Sequence, residues 1–271
     1  MAIVSTLWSL ALLGAIAISL CFTGNVSYRL AQNSFHAATD EALTEATINR
    51  AVLALLDPRP DHRLALNTTS RFTLGGASVD IRVQDELGKV DINQVDAPIL
   101  IALLQWAGLD GVSASALLDK ILDWRDRNPL KRINGAKADE YRAAGYDYAP
   151  RNGPFQSLDE LLLVMGVTPD LYRKIVPALT VYSGRPFVDP QFSPPEVLAA
   201  LPSLANAVAA QRAAGTASYG GIGDPMLALK GRAFSIDVGI ARPNGVAHHH
   251  GAIRLTGNPN EPFWILSWQR S

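Results

Sequence analysis

The chain has 271 residues, with 24 Lys+Arg against 25 Asp+Glu and a formal net charge of −1. That balance gives no basic excess to drive phosphate binding, and the length suffices for one large or two modest domains with real cores. The single cysteine, Cys21, excludes an intrachain disulfide and a cysteine-held zinc cluster.

From Met1 to Tyr28 no side chain is charged, Arg29 being the first. A membrane span needs ~20 largely apolar residues, since each rises 1.5 Å across a core of about 30 Å. Residues 1–28 therefore read as the transmembrane part of an N-terminal helix. A cleaved secretory signal fits worse, having a basic start and an apolar stretch of only ~7–15 residues. No Lys or Arg precedes the run, so the positive-inside signal is missing. Residues 29–57 read as an amphipathic continuation of the same helix. Phe35, Ala38, Ala42, Ala46, Leu53 and Leu56 fall on one face at helical spacing, with Asp40 and Thr44 opposite. No proline occurs before Pro58, where DPRP ends the element.

Strands follow over residues 70–92. Val79, Ile81 and Val83 alternate with Asp80, Arg82 and Gln84, the period of a half-buried strand. RFTL before them and GKVDI after them read as further strands, set off by Gly75-Gly76 and Gly88. Residues 93–214 turn helical, with candidate helices at 97–107, 113–126, 136–143, 157–164, 168–176, 194–201 and 205–213. The Gly/Ser-rich AAGTASYGGIGDP, 213–225, reads as a loop. Over 215–271 strands resume, with Phe234, Ile236, Val238 and Ile240 alternating, then GAIRLTG and PFWILSW. The expected fold is α+β: a long helix packed on one antiparallel sheet that both strand groups share, with a large all-α insertion.

Within the insertion VDINQVDAPILIALL (90–104) and VDPQFSPPEVLAALP (188–202) form a weak repeat, and SLDELLLVMGV (157–167) is a third relative. Ser157…Glu160 and Ser193…Glu196 have capping-box spacing. Gly166 is placed for a left-handed helix stop. PFQSLDELLLVMGVTPDLYRKIVPAL thus has the shape of a helix-hairpin-helix, a module used on DNA. The DNA-gripping form presents the backbone amides of a Gly-x-Gly turn backed by lysines. Here the turns are Met165-Gly166-Val167 and Pro202-Ser203-Leu204, while Gly108-Leu-Asp-Gly111 puts Asp110 where phosphate would approach. A structural or protein-contact role is favoured, with no nucleic acid. The competing reading is a membrane-tethered DNA-uptake protein. No HExxH, GxSxG or P-loop is present, and GGIGDP is not a dinucleotide fingerprint, so no enzyme is indicated. His248-His249-His250 reads as the solvated tip of a hairpin, and Trp264 and Trp268 as strand residues of a core or interface.

The order of membrane helix, strands, helical insertion and closing strands resembles the general secretion pathway protein K family, the large minor pseudopilins of type II secretion. LWSLALL, VQDELGKVDIN, ILDWRD, NGA at Asn134–Ala136, NGPFQSLDELLLV and LTVYS carry the resemblance in the family's order. It implies a pilin-type domain with helix-hairpin-helix (SAM-like) repeats inserted, and a single-pass inner-membrane protein with its bulk in the periplasm. It also implies cleavage by the prepilin peptidase, N-methylation, and a pseudopilus tip shared with the I and J minor pseudopilins and with H. Met1 is then equivalent to the mature N-terminus, and a basic leader ending in glycine is expected upstream of it. Ser5 stands where ordinary pilins carry a glutamate that neutralises a neighbour's terminal amine. Trp8 and Phe35 are expected protein contacts. The loop ILDWRDRNPLKRINGAKADEY concentrates carboxylates, and Asp123, Asp126, Asp139 and Glu140 are candidate ligands for Ca²⁺, which takes hard oxygen donors. A solvated acidic loop paired with Arg125, Arg127, Lys131 and Arg132 is the alternative.

Overall fold

The structure, a computed structural model, describes residues 2–59, 62, 64–213, 225–242 and 245–270. Helix α1 runs without a break from Ala2 to Leu55. Its first half is rich in Ala, Leu and Ile, and residues 3–19 are exposed. From Asp40 onward one face is buried by Asp40, Thr44, Thr47, Ile48, Ala51, Val52 and Leu55. This is not the face read from the sequence: Phe35 and Leu53 are 70% and 72% exposed, while Asp40 and Thr44 point inward. Alanine-rich helices signal their apolar face weakly, and a distant cation decides the matter here. Arg242, at the end of strand β5 (Ala233–Arg242), forms an ion pair with Asp40 and donates to the His36 carbonyl at 3.1 Å.

Strands β1 (Thr69–Leu74), β2 (Ala77–Asp85), β5 (Ala233–Arg242), β6 (Gly245–Asn258) and β7 (Glu261–Arg270) make one antiparallel sheet in that order. Gly75 and Gly76, both at positive φ, form the two-residue link between β1 and β2, a conformation that suits the twist of a hairpin. Val79, Ile81 and Val83 of β2 and Phe234, Ile236, Val238 and Ile240 of β5 bury one face against α1. The shared sheet expected from the two strand groups is present. β2 pairs directly with β5, with Asp85 opposite Phe234, so the chain leaves and re-enters the sheet on adjacent strands.

Between those strands lies a second core, built on Leu100, Leu103, Leu104, Leu117, Ile121, Trp124, Tyr141, Leu161, Ile175 and Val197. GKVDI does not join the main sheet. Its two residues Val90–Asp91 (β3) pair in parallel with Leu179–Thr180 (β4), a clasp at the base of the insertion. Helices α2 (Ala97–Trp106) and α3 (Gly111–Arg125) form one hairpin, and α6 (Pro195–Ala200) leads into α7 (Pro202–Ala213). Between them lie α4 (Ala138–Ala143), a 3-10 turn Leu158–Leu163, and α5 (Pro169–Ile175). A short α8 (Pro225–Ala228) precedes β5.

The repeat has a structural counterpart. Asp91 accepts the amide of Asn93 at 2.9 Å and Asp189 that of Gln191 at 3.0 Å, so each copy opens on the same carboxylate turn. Neither capping box forms. Ser157 caps Asp159 at 3.2 Å while Glu160 accepts from Arg151, Trp124 and the Gln156 amide, one residue before the cap, and Ser193 donates to the Asp189 carbonyl. Gly166, at φ 98°, does supply the left-handed stop.

The histidine triplet lies within β6, not at its tip. His249 is buried and stacks on Trp268 at 5.9 Å between centroids. A register shift between Ala252/Ile253 and their β7 partners puts Trp264 and Trp268 on opposite faces, leaving Trp264 53% exposed. Sequence alternation alone cannot show such a bulge.

Candidate functional site

Two features stand out: the uncovered half of α1, and the polar joint that fixes the insertion to the sheet. α1 contains a window with mean hydropathy 2.1, none of it buried within the protein. It is long and apolar enough to cross a membrane. Ser5 and Trp8 lie on it, Trp8 being 74% exposed, and the Ser5 carbonyl accepts the Ser9 hydroxyl at 2.9 Å. Phe35 lies just below, its ring 6.2 Å from His36 and otherwise outward. Met1 lies outside the described residues, as do 214–224 of the Gly/Ser-rich loop.

The joint is built by VQDELGKVDIN, and nearly every polar side chain in it is used. Gln84 donates to the Phe192 carbonyl at 2.7 Å, and Asn67 reaches the same oxygen at 3.1 Å. The Asp189 amide donates to Leu87 at 2.8 Å. Gly88 sits so close that a Cβ there would lie 1.9 Å from the Phe192 oxygen. Asp85, fully buried, pairs with Arg232, whose guanidinium covers the Phe192 ring at 4.7 Å. Glu86, Lys89 and Ser235 form a closed triangle: Lys89 Nζ to Glu86 at 2.8 Å, Lys89 Nζ to Ser235 at 3.0 Å, and Ser235 to Glu86 at 2.6 Å. Asp91 accepts the Gly184 amide at 2.7 Å, and Arg254 of β6 donates to the Tyr182 carbonyl at 2.8 Å. A groove of about 540 Å³ runs beside this joint, with Lys89, Asp237, His250 and Tyr182 among its walls. Buried polar groups bonded across a joint favour one relative orientation of its two sides and penalise others. Sequence reasoning missed this set because the partners are far away in the chain.

The remaining motifs meet inside the insertion. Trp124 of ILDWRD stacks on Phe155 of NGPF at 6.1 Å, and its indole N–H donates to Glu160 at 3.2 Å. Asn93 clamps the Phe155 backbone in both directions, at 2.9 and 2.8 Å. Gly135 of NGA abuts the Asp123 carboxylate, where a Cβ would come within 1.8 Å.

The candidate calcium ligands are separated by the basic residues interleaved with them. Asp123, fully buried, and Asp126 flank Arg132 at 2.7 and 3.1 Å. Asp139 pairs with Arg142 in solvent, and Glu140 with Lys131, each at 2.8 Å. Burial opposes the Arg132 charge, but its hydrogen bonds to Asp123 and Asp126 raise its pKa. The Asn128 amide, together with Arg132, holds Asp126 below the usual carboxylate range, and Lys131 does the same for Glu140. Ca²⁺ takes six to eight oxygens at about 2.3–2.6 Å. Each of these carboxylates is already matched to a cation, and as arranged the four do not fit one calcium ion. Among the described residues no group of three or more His, Cys, Asp or Glu could hold a metal.

Where a phosphate would approach the α2–α3 turn, Asp110 accepts the Val112 and Ser113 amides at 2.9 and 3.0 Å. Those bonds, the Ser113 amide foremost, hold its carboxyl below the ordinary range. The amides an anion would need are occupied by the protein's own anion.

An uncovered apolar helix that continues as the packing helix of an antiparallel sheet, with a helical domain spliced between two adjacent strands, defines a pilin-like protein with an insertion. Residues 71–184 match the family "Type II secretion system (T2SS), protein K". The type II secretion system protein K of Klebsiella pneumoniae is 27% identical over 162 residues, covering 54% of this chain and 49% of that protein. That of Pectobacterium carotovorum subsp. carotovorum is 25% identical over 122 residues, covering 40% and 37%. The matched region thus spans half or less of these curated relatives. A chain in the crystal structure of the GspK-GspI-GspJ complex from the enterotoxigenic Escherichia coli type 2 secretion system shares the fold. Its TM-score is 0.58 at 16% identity, covering 89% of this chain and 98% of that one. Residues 71–184 are thus similar to the type II secretion system protein K domain.

Proposed function

We propose that the protein is a minor pseudopilin that caps the pseudopilus of a type II secretion system and helps to initiate its assembly for protein export. The observation that carries this is the splice of a helical domain into a pilin-like body, between β2 and β5, in a chain whose residues 71–184 match the protein K domain. The uncovered half of α1 anchors it in the bacterial inner membrane with the bulk in the periplasm, after processing by the prepilin peptidase. Its partners are the minor pseudopilins I and J, and also H. Trp8 and Phe35, exposed along α1, face those neighbours. The insertion's paired helices support reading them as helix-hairpin-helix-like repeats given over to structure, and the protein as non-catalytic.

The tip position follows from two features. In an apolar filament core, leaving one member of a buried charge pair unmatched costs about 3–5 kcal/mol. Ser5, at the position of the pilin glutamate in the LWSLALL alignment, cannot balance a neighbour's ammonium, which matters only if a neighbour lies ahead. The insertion at 93–214 would also crowd a repeating lattice, but has room at an end. Co-purification of the detergent-solubilised full chain with tagged I and J from the same genome tests the reading. Recovery of a ternary complex is expected, and its absence under conditions where I and J bind each other would count against it.

A further inference from the structure

We infer that Lys137 is a built-in cation that does for the α3–α4 loop what a bound divalent ion would do, so that the insertion is held together independently of calcium. The loop is where clustered carboxylates suggest calcium, and those carboxylates are matched to Arg132, Arg142 and Lys131 instead. What lies at its centre is the Lys137 ammonium. Nζ donates to the carbonyl of Asp123 at 2.7 Å, the carbonyl of Asp126 at 2.9 Å and the side-chain oxygen of Asn152 at 2.9 Å.

Three oxygens are the complement of an ammonium, which has three donors, and fall well short of the six to eight that calcium takes. Two of them sit at the C-terminal end of α3, where carbonyls lack helical partners and the helix dipole favours positive charge. Asn152 is the first residue of NGPF, so one ammonium ties the end of α3 to the chain that returns after α4. The backbone amide of Lys137 donates to Glu140 Oε2 at 3.0 Å, fixing the start of α4. Arg132 completes the arrangement from the side-chain direction, bridging Asp123 and Asp126. Three acidic groups (Asp123, Asp126, Glu140) face three basic ones (Lys131, Arg132, Lys137), leaving no net negative charge to draw a divalent ion.

The test is thermal unfolding of the detergent-solubilised full chain, followed by circular dichroism in chelator and in millimolar calcium. The wild-type Tm is expected to agree within about 1 °C in the two buffers. Lys137→Met keeps the aliphatic stem and removes the three charged donors, and in chelator should melt at least about 4 °C lower. A wild-type Tm that rises by several degrees with calcium would overturn the inference, as would a Lys137→Met variant that melts like the wild type. If that variant fails to fold, calcium titration of the wild type decides alone. Saturable uptake with a Kd below about 100 μM contradicts the proposal, and no uptake in that range supports it.

Discussion

Substituting Ala for Gly88 probes the joint between sheet and insertion with a single methyl group. The added Cβ would lie 1.9 Å from the Phe192 oxygen, 2.2 Å from its carbon and 2.7 Å from the Ser193 nitrogen, all backbone atoms with no rotamer to change. The turn at Pro190–Phe192 must therefore move. As it moves it loses the bonds from Gln84 and Asn67 to the Phe192 carbonyl, and strains that from the Asp189 amide to Leu87. Each such bond contributes about 0.5–1.5 kcal/mol, and overpacking adds about 1–3 kcal/mol. Against this stands only the small gain from a less flexible unfolded chain, about 0.4–1 kcal/mol. Gly88→Ala should destabilise by about 3–5 kcal/mol, measured by urea unfolding of the full chain in detergent with tryptophan fluorescence. Gly153→Ala is the control: its nearest neighbour would be Arg151 Cγ at 3.8 Å, an ordinary contact, and its effect should stay within about 1 kcal/mol. If Gly88→Ala is as mild as Gly153→Ala, the joint does not carry the load assigned to it.

Further outcomes follow from the same contacts. Arg132→Met leaves Asp123 buried without its guanidinium and should cost about 2–4 kcal/mol by urea unfolding, below the full range for a broken buried pair because Arg132 is partly exposed. An effect under about 0.5 kcal/mol would refute that pairing. Asp110→Ala removes the cap of α3 and should lower the urea midpoint. The Asp110→Ala protein and its parent should both pass through a DNA column unretained, and retention of the parent would revive the nucleic-acid reading. Asp126 and Glu140 have folded pKa values below their ordinary 3.8 and 4.5, so in acid the unfolded chain binds more protons. Their contribution is fully present above about pH 5 and is lost as pH falls through the depressed values, so Tm should hold from neutral pH to about 5 and then drop. A Tm that climbs on acidification would contradict the assignment.

What could be read in the sequence was local. The long helix and its end near Pro58, the alternation in 79–83 and 234–240, and the Gly75-Gly76 turn all depend on neighbours a few residues apart. The inward face of α1 was misread because Asp40 is drawn in by Arg242, and hydrophobic spacing does not register a distant cation. The capping boxes had the right spacing, but Glu160 has better partners in Arg151 and Trp124. The carboxylate-rich loop looked like a calcium site until the basic residues between its acids folded back onto them. VQDELGKVDIN was recognisable as a motif, yet its work on Phe192, Ser235 and Gly184 exists only once the insertion has closed.

The central claim is that this subunit sits at the end of a filament and does not repeat along it. Labelled-antibody imaging of assembled pseudopili, with the label directed to the insertion at 93–214, tests it most directly. The account predicts label at one end of each pseudopilus, and label distributed along the shaft would contradict it.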